Sequence, residues 1–192
     1  MNDVKLGNPG PLGLMGFGMT TILLNIHNAG FFPVSAVILA MGLFYGGLAQ
    51  VIAGILEFRK GNTFGLTAFT SYGFFWITLV FIWVLPKLGW TDATPASFMG
   101  WFLLLWGIFT FFMFLGTLKG NKGLQFVFAS LTVLFLLLAL HNFSGSNAIG
   151  ILAGWVGIVC GASAFYLAMA EVLAEVYGRP VLPYGAAVKQ EK

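Results

Sequence analysis

The groups in this chain that could handle a solute inside an apolar protein are almost all uncharged. Thr20, Thr21, Asn25, Gln50, Thr67, Thr70, Ser71, Tyr72, Ser130 and Tyr166 fall within apolar stretches, whereas Glu57, Arg59, Lys60, Glu171 and Glu175 fall at segment ends. A fixed charge at the centre, as an ion-binding site would use, is missing. Hydroxyl and amide donors can partly replace water around a small carboxylate, each contributing about 0.5 to 1.5 kcal/mol net. Such weak binding suits release and rapid passage.

Two histidines, His27 and His141, are each followed by asparagine at the end of an apolar segment. Imidazole is a proton carrier near neutral pH, but at a segment end the simpler reading is an interfacial residue. Glu171 and Glu175, four apart, are read as a solvated final turn. There is no GxSxG, HExxH, phosphate-binding glycine loop or Cys/His metal cluster, and the single Cys160 has no disulfide partner. The expectation is therefore a protein that is not an enzyme and holds neither metal nor cofactor.

The elements that must position these groups are membrane-spanning helices. Of 192 residues, 59% are hydrophobic and 8% charged, with mean hydropathy +0.93, a composition suited to lipid and not to water. Polar, charged and Gly/Pro clusters divide the chain into six apolar segments, near 11–28, 34–58, 64–86, 97–118, 123–143 and 147–177. Each is long enough to cross a bilayer. The expected organisation is an N-terminal segment over 1–10, a six-helix bundle over 11–177 and a tail over 178–192.

The basic residues supply orientation. Lys5, Arg59, Lys60, Lys119, Lys122, Arg179, Lys189 and Lys192 fall on one side of such a bundle and only Lys87 on the other, which places both termini in the cytoplasm. The net charge of +3 is explained by this topology without a nucleic-acid partner. Small residues recur on one face of the sixth segment (Gly150, Gly154, Gly157, Gly161, Ala164, Ala168) and of the second (Gly42, Gly46, Ala49, Ala53). Both stripes predict close helix packing, within the protomer in preference to between protomers.

A threefold internal pattern then singles out a ring. Lys60-Gly61-Asn62 recurs as Lys119-Gly120-Asn121, fifty-nine residues later, and Ile26-His27-Asn28 recurs as Leu140-His141-Asn142, a shift of 114. Together these equate Phe17, Tyr72 and Leu131 on segments one, three and five, which run in the same direction. Three hairpins around a protomer pore would set these residues at one depth, where an apolar ring bars hydrated ions. A small acid with a methyl group slides through while Tyr72 touches its polar end.

Beyond these readings, the run Asn8-Pro9-Gly10-Pro11-Leu12-Gly13-Leu14, followed by Gly16-Phe17, closely resembles the signature of the acetate uptake transporter family, which includes bacterial acetate/succinate permeases. The likeness continues through Tyr45-Gly46-Gly47, Gly61 to Gly65, Thr70 to Gly73, Gly116 to Lys119 and Cys160 to Ser163; Gly10 stands where the signature usually has alanine or another small apolar residue. The resemblance implies an all-α six-helix bundle similar to urea and amide channels, usually hexameric, in a bacterial-type inner membrane among its lipids. Acetate would pass through each protomer, with succinate as second substrate, by channel-like or proton-coupled passage. It implies that Phe17, Tyr72 and Leu131 form the constriction, that Leu131 and Ala164 influence which acid passes, and that Asn8 to Leu14 supports transport. Thr20, Asn25, Gln50, Thr70 and Ser71 are candidate polar contacts along the route. The residues alone also fit a channel for neutral urea or amides, and a sensor that binds acid without moving it.

Overall fold

The computed structural model describes residues 6–185, and every regular element among them is helical. Six long helices follow in order: α1 (Gly10–Asn28), α2 (Ala36–Arg59), α3 (Thr63–Lys87), α4 (Ala96–Thr117), α5 (Lys122–Ser144) and α6 (Asn147–Tyr177). By length and composition α2 to α6 can each cross a membrane, and the protein is an integral membrane protein. Lys5, Lys189 and Lys192, which contribute to the charge asymmetry, lie outside the described residues.

Local chemistry fixes the helix ends. Pro11 stands in the first turn of α1, where a missing N–H leaves no bond unmade. Asn62 caps α3 by accepting from the Gly65 amide at 3.1 Å, and Asn121 caps α5 by accepting from Leu124 at 2.6 Å. These two caps are the repeated Lys-Gly-Asn motif, so the recurrence marks one structural job performed twice. At the opposite ends, His27 Nδ1 lies 2.7 Å from the Phe32 carbonyl and His141 Nδ1 lies 2.8 Å from that of Ser146, each five residues ahead. The second motif thus ties the chain that follows each helix back to its last turn.

One feature of α2 has no counterpart in the sequence reading. Its middle, Phe44–Ala49, is π-helical. A Cβ on Gly16 of α1 would stand 2.5 Å from the Tyr45 carbonyl oxygen, and one on Gly73 of α3 would stand 2.8 Å from that of Gly47. The widened turn therefore lies directly against the backbones on both sides, a placement that π-bulges often take at functional sites.

The small-residue stripe of α6 packs chiefly on α1. A Cβ on Gly18 would lie 2.8 Å from the Gly161 carbonyl, and a Cβ on Gly161 would lie 2.7 Å from that of Gly18, so the two backbones touch directly. Gly154 meets Ala29 and Gly157 makes room for Asn25, whereas Gly150 leaves space for the His141 ring of α5. On α2, Gly42 meets Val80 and Gly46 meets Thr20 and Trp76. The residues after α6 fold back: the Lys122 and Gly123 amides, free at the start of α5, donate to the carbonyls of Gly185 and Tyr184 at 2.9 and 3.1 Å.

Candidate functional site: a cavity with a charged mouth and an apolar floor

Phe17, Tyr72 and Leu131, brought from α1, α3 and α5, are all buried and all line one cavity of about 200 Å³. The Phe17 and Tyr72 ring centroids are 6.2 Å apart. The lining follows the threefold relation nearer the mouth as well. Leu14, Phe69 and Phe128 stand one helical turn from the ring residues, and Gly10, Gly65 and Leu124 stand one turn further. Each trio carries the same offsets as the ring, so the cavity is a funnel made from equivalent faces of three helices.

Beyond the ring the same faces close. One turn on, Thr21, Trp76 and Phe135 are buried, as are Leu24 and Leu79 after them. Aromatic packing holds the ring in place: Tyr72 lies with its centroid 5.6 Å from Phe109, 6.0 Å from Trp106 and 6.1 Å from Phe128. Its hydroxyl donates to Thr110 Oγ1 at 2.9 Å, and Thr110 in turn donates to the Trp106 carbonyl at 2.7 Å. In this structure the Tyr72 proton is directed at α4 and not into the cavity. Thr110 carried no signal in the sequence, since a threonine among phenylalanines reads as packing.

Of the candidate polar contacts, Gln50 lines the cavity; it is 1% exposed, and its Oε1 has no hydrogen-bond partner. The other four lie elsewhere. Thr20 is buried against Gly46, and half-buried Thr70 packs on Gly54. Asn25 donates to the Thr21 carbonyl at 2.9 Å and accepts from Asn28 at 3.0 Å. Ser71 borders a separate depression between α3 and α4, with Leu105, Trp106 and Phe109. Within the signature segment, Asn8 and Leu14 line the cavity, while Pro9, Pro11, Leu12 and Gly13 do not. Gly13 gives way to the Phe69 ring. Ala164 is fully buried on α6 and does not reach the lining.

The mouth carries a polar cluster that sequence reasoning left at the helix ends. Asn8 joins it: its Oδ1 accepts from Lys60 Nζ at 2.8 Å, and its Nδ2 donates to Glu171 Oε2 at 3.2 Å. Glu57, 1% exposed, accepts from Asn62 Nδ2 at 2.7 Å and lies 3.7 Å from Lys60 Nζ. Glu171 is thus no part of a solvated final turn: α6 continues to Tyr177, and the carboxylate faces the cavity, whereas Glu175 is exposed. Asparagine eight, already prominent in the signature, was the available clue, but no spacing rule links residues 8, 57, 60 and 171.

At the opposite end of the bundle a second cavity, of about 350 Å³, is lined by His27, Asn28, Leu138, His141, Asn147 and Gly150 among others. His27 and His141 stand ten residues past Phe17 and Leu131 on the same helices, about 15 Å along the axis. The molecule therefore has a hollow near each end of the bundle, with buried rings and Thr21 between them.

Comparison with known proteins agrees with this architecture. The chain is 67% identical over 185 residues to the succinate-acetate/proton symporter SatP of Escherichia coli (strain K12), covering 96% of this chain and 98% of that one. It is 38% identical over 176 residues to the ammonia transport outward protein 2 of Saccharomyces cerevisiae, covering 88% of this chain and 62% of the yeast protein. A solved structure described as that of the bacterial acetate channel SatP superposes with a TM-score of 0.94 at 68% identity, over 94% of this chain and 100% of that one. With the family pattern matched over residues 1–179, the chain belongs to the GPR1/FUN34/yaaH family.

Proposed function

We propose that this protein transports acetate, and succinate with it, through a route inside each protomer that narrows at Phe17, Tyr72 and Leu131. The observation that carries the reading is the shared cavity of these three residues, floored by apolar groups and free of charge at its depth. An apolar constriction opposes hydrated ions by dewetting, while a solute with a methyl group has favourable contacts for its carbon end. The carboxylate end relies on Gln50 and on Lys60 at the mouth, where Asn8 and Asn62 bind Glu171 and Glu57. In this reading Leu131 sets the width of the throat, Ala164 acts from behind it, and the Asn8 to Leu14 segment holds the mouth in register.

Six crossings follow if α1, 19 residues long, spans alongside the five more apolar helices, with both termini on the cytoplasmic side of a bacterial-type inner membrane. The broad apolar surface of α4, including Phe98, Trp101, Leu105 and Phe112, fits lipid or neighbouring protomers in a hexamer. The decisive experiment is uptake of labelled acetate into proteoliposomes with and without a proton gradient. Flux well above that of empty vesicles is expected. Flux equal to empty vesicles overturns the reading, and competition by urea but not by propionate replaces it with a channel for neutral amides.

A further inference from the structure

His27 and His141 do more than end helices. A backbone carbonyl can only accept, so the 2.7 and 2.8 Å contacts to Phe32 and Ser146 fix the proton of each neutral ring on Nδ1. Each ring then presents Nε2 as a bare lone pair on its other edge. Both histidines line the same cavity of about 350 Å³, on the same helices as Phe17 and Leu131. A second proton on either imidazole leaves the Nδ1 cap intact and turns Nε2 into a charged donor.

The surroundings favour an anion once that proton arrives. The cavity's lining comes from α1, the α1–α2 turn, α5 and α6, and among the described residues it contains no titratable or charged group apart from the two histidines. Lys87 lines a separate hollow, on the side of α5 where Asn142 lies. Asn28 and Asn147 add neutral amides to the same wall. The other mouth, by contrast, already holds Glu57 and Glu171 beside Lys60.

We propose that His27 and His141 form a carboxylate-docking station at the end of the route opposite Asn8, one that binds the anion when an imidazole in the shared cavity takes up a proton. The inference rests on the transport reading above and adds where an acid anion and a proton meet. It predicts reciprocity: the factor by which acetate tightens proton binding is the factor by which a proton tightens acetate binding.

The chain contains only two histidines, so ¹⁵N-histidine labelling of untagged protein in nanodiscs reads these two rings alone. Saturating acetate is expected to raise the protonation midpoint of one or both rings by an amount equivalent to about fivefold or more, the lower range of common site-to-site couplings. Chloride at equal concentration should not. In right-side-out proteoliposomes the external KM for acetate should fall as pH drops from about 8 to about 6, where acetate itself stays ionised. In His27→Gln/His141→Gln protein that fall in KM should disappear. If wild-type protein carries acetate and neither ring responds to it, or chloride moves them equally, the station is refuted and the transport reading stands. If no flux is seen at all, it is the transport reading that fails.

Discussion

At the residue scale the least obvious assignment is that of Tyr72. Its ring lines the cavity, at the proposed constriction, while its hydroxyl donates to Thr110 of α4. Tyr72→Phe should therefore keep acetate flux within about twofold, because the displaced group faces protein and a single neutral hydrogen bond is worth only about 1 kcal/mol. Thr110→Val should lower stability by about 1 to 3 kcal/mol, since it leaves a buried phenol without its acceptor, and combining the two substitutions should recover most of that loss. Thermal unfolding of the four proteins in detergent completes the cycle. A large flux defect in Tyr72→Phe with an additive double variant would return the hydroxyl to the solute. Leu131 faces the opposite test. Leu131→Ala shortens an aliphatic group at the cavity floor and should admit bulkier acids such as lactate or benzoate, measured as new competition against labelled acetate; an unchanged competitor range would remove Leu131 from the throat.

At the element scale, much of the architecture was legible because apolar length and small-residue rhythm are direct physical requirements of helices in lipid. The six segments, the face of α6 that meets α1, and the repeated motifs at Asn62/Asn121 and His27/His141 could all be read from spacing alone. What could not be read was the π-helical turn at Phe44–Ala49, where a Gly-Gly pair is equally compatible with an ordinary α-helix until neighbouring backbones press against it. The joining of Asn8, Lys60, Glu57 and Glu171 was likewise hidden, since contacts between the ends of different helices leave no period in the chain. Thr20, Asn25, Thr70 and Ser71 show the converse limit: a neutral polar residue inside a helix looks the same whether it faces a cavity or a glycine. The α1–α6 seam supplies a prediction at this scale. Gly161→Leu drives a side chain into the Gly18 carbonyl and Ile22, and backbone cannot yield as a side chain can. It should abolish the monodisperse peak in fluorescence-detected size exclusion. Gly107→Ala, whose Cβ would meet only the Phe135 and Leu136 side chains at 3.3 to 3.4 Å, should keep it.

At the scale of the whole molecule, the orientation of the bundle decides which mouth meets which solution. The basic residues of the α2–α3 and α4–α5 connections, Arg59, Lys60, Lys119 and Lys122, lie at the end of the bundle that carries Asn8 and Glu171, and the histidine cavity lies at the other. In the proposed orientation, with Lys and Arg retained on the cytoplasmic side, the carboxylate-bearing mouth would face inward and the histidines the lower-pH side of an energised membrane. The two ends would differ in kind: outside, a site whose charge follows proton supply; inside, a cluster in which Lys60 is shared between Asn8 and Glu57. Fusions at the C-terminus test the orientation directly, with green fluorescent protein expected to be bright and alkaline phosphatase inactive. Moving the bias, by Arg59→Ala, Lys60→Ala, Lys119→Ala and Lys122→Ala together with lysines introduced beside Asn28 and Ser146, should produce a population with active phosphatase. An active phosphatase on the unaltered chain would reverse the two mouths and detach the histidine station from the proton-rich face.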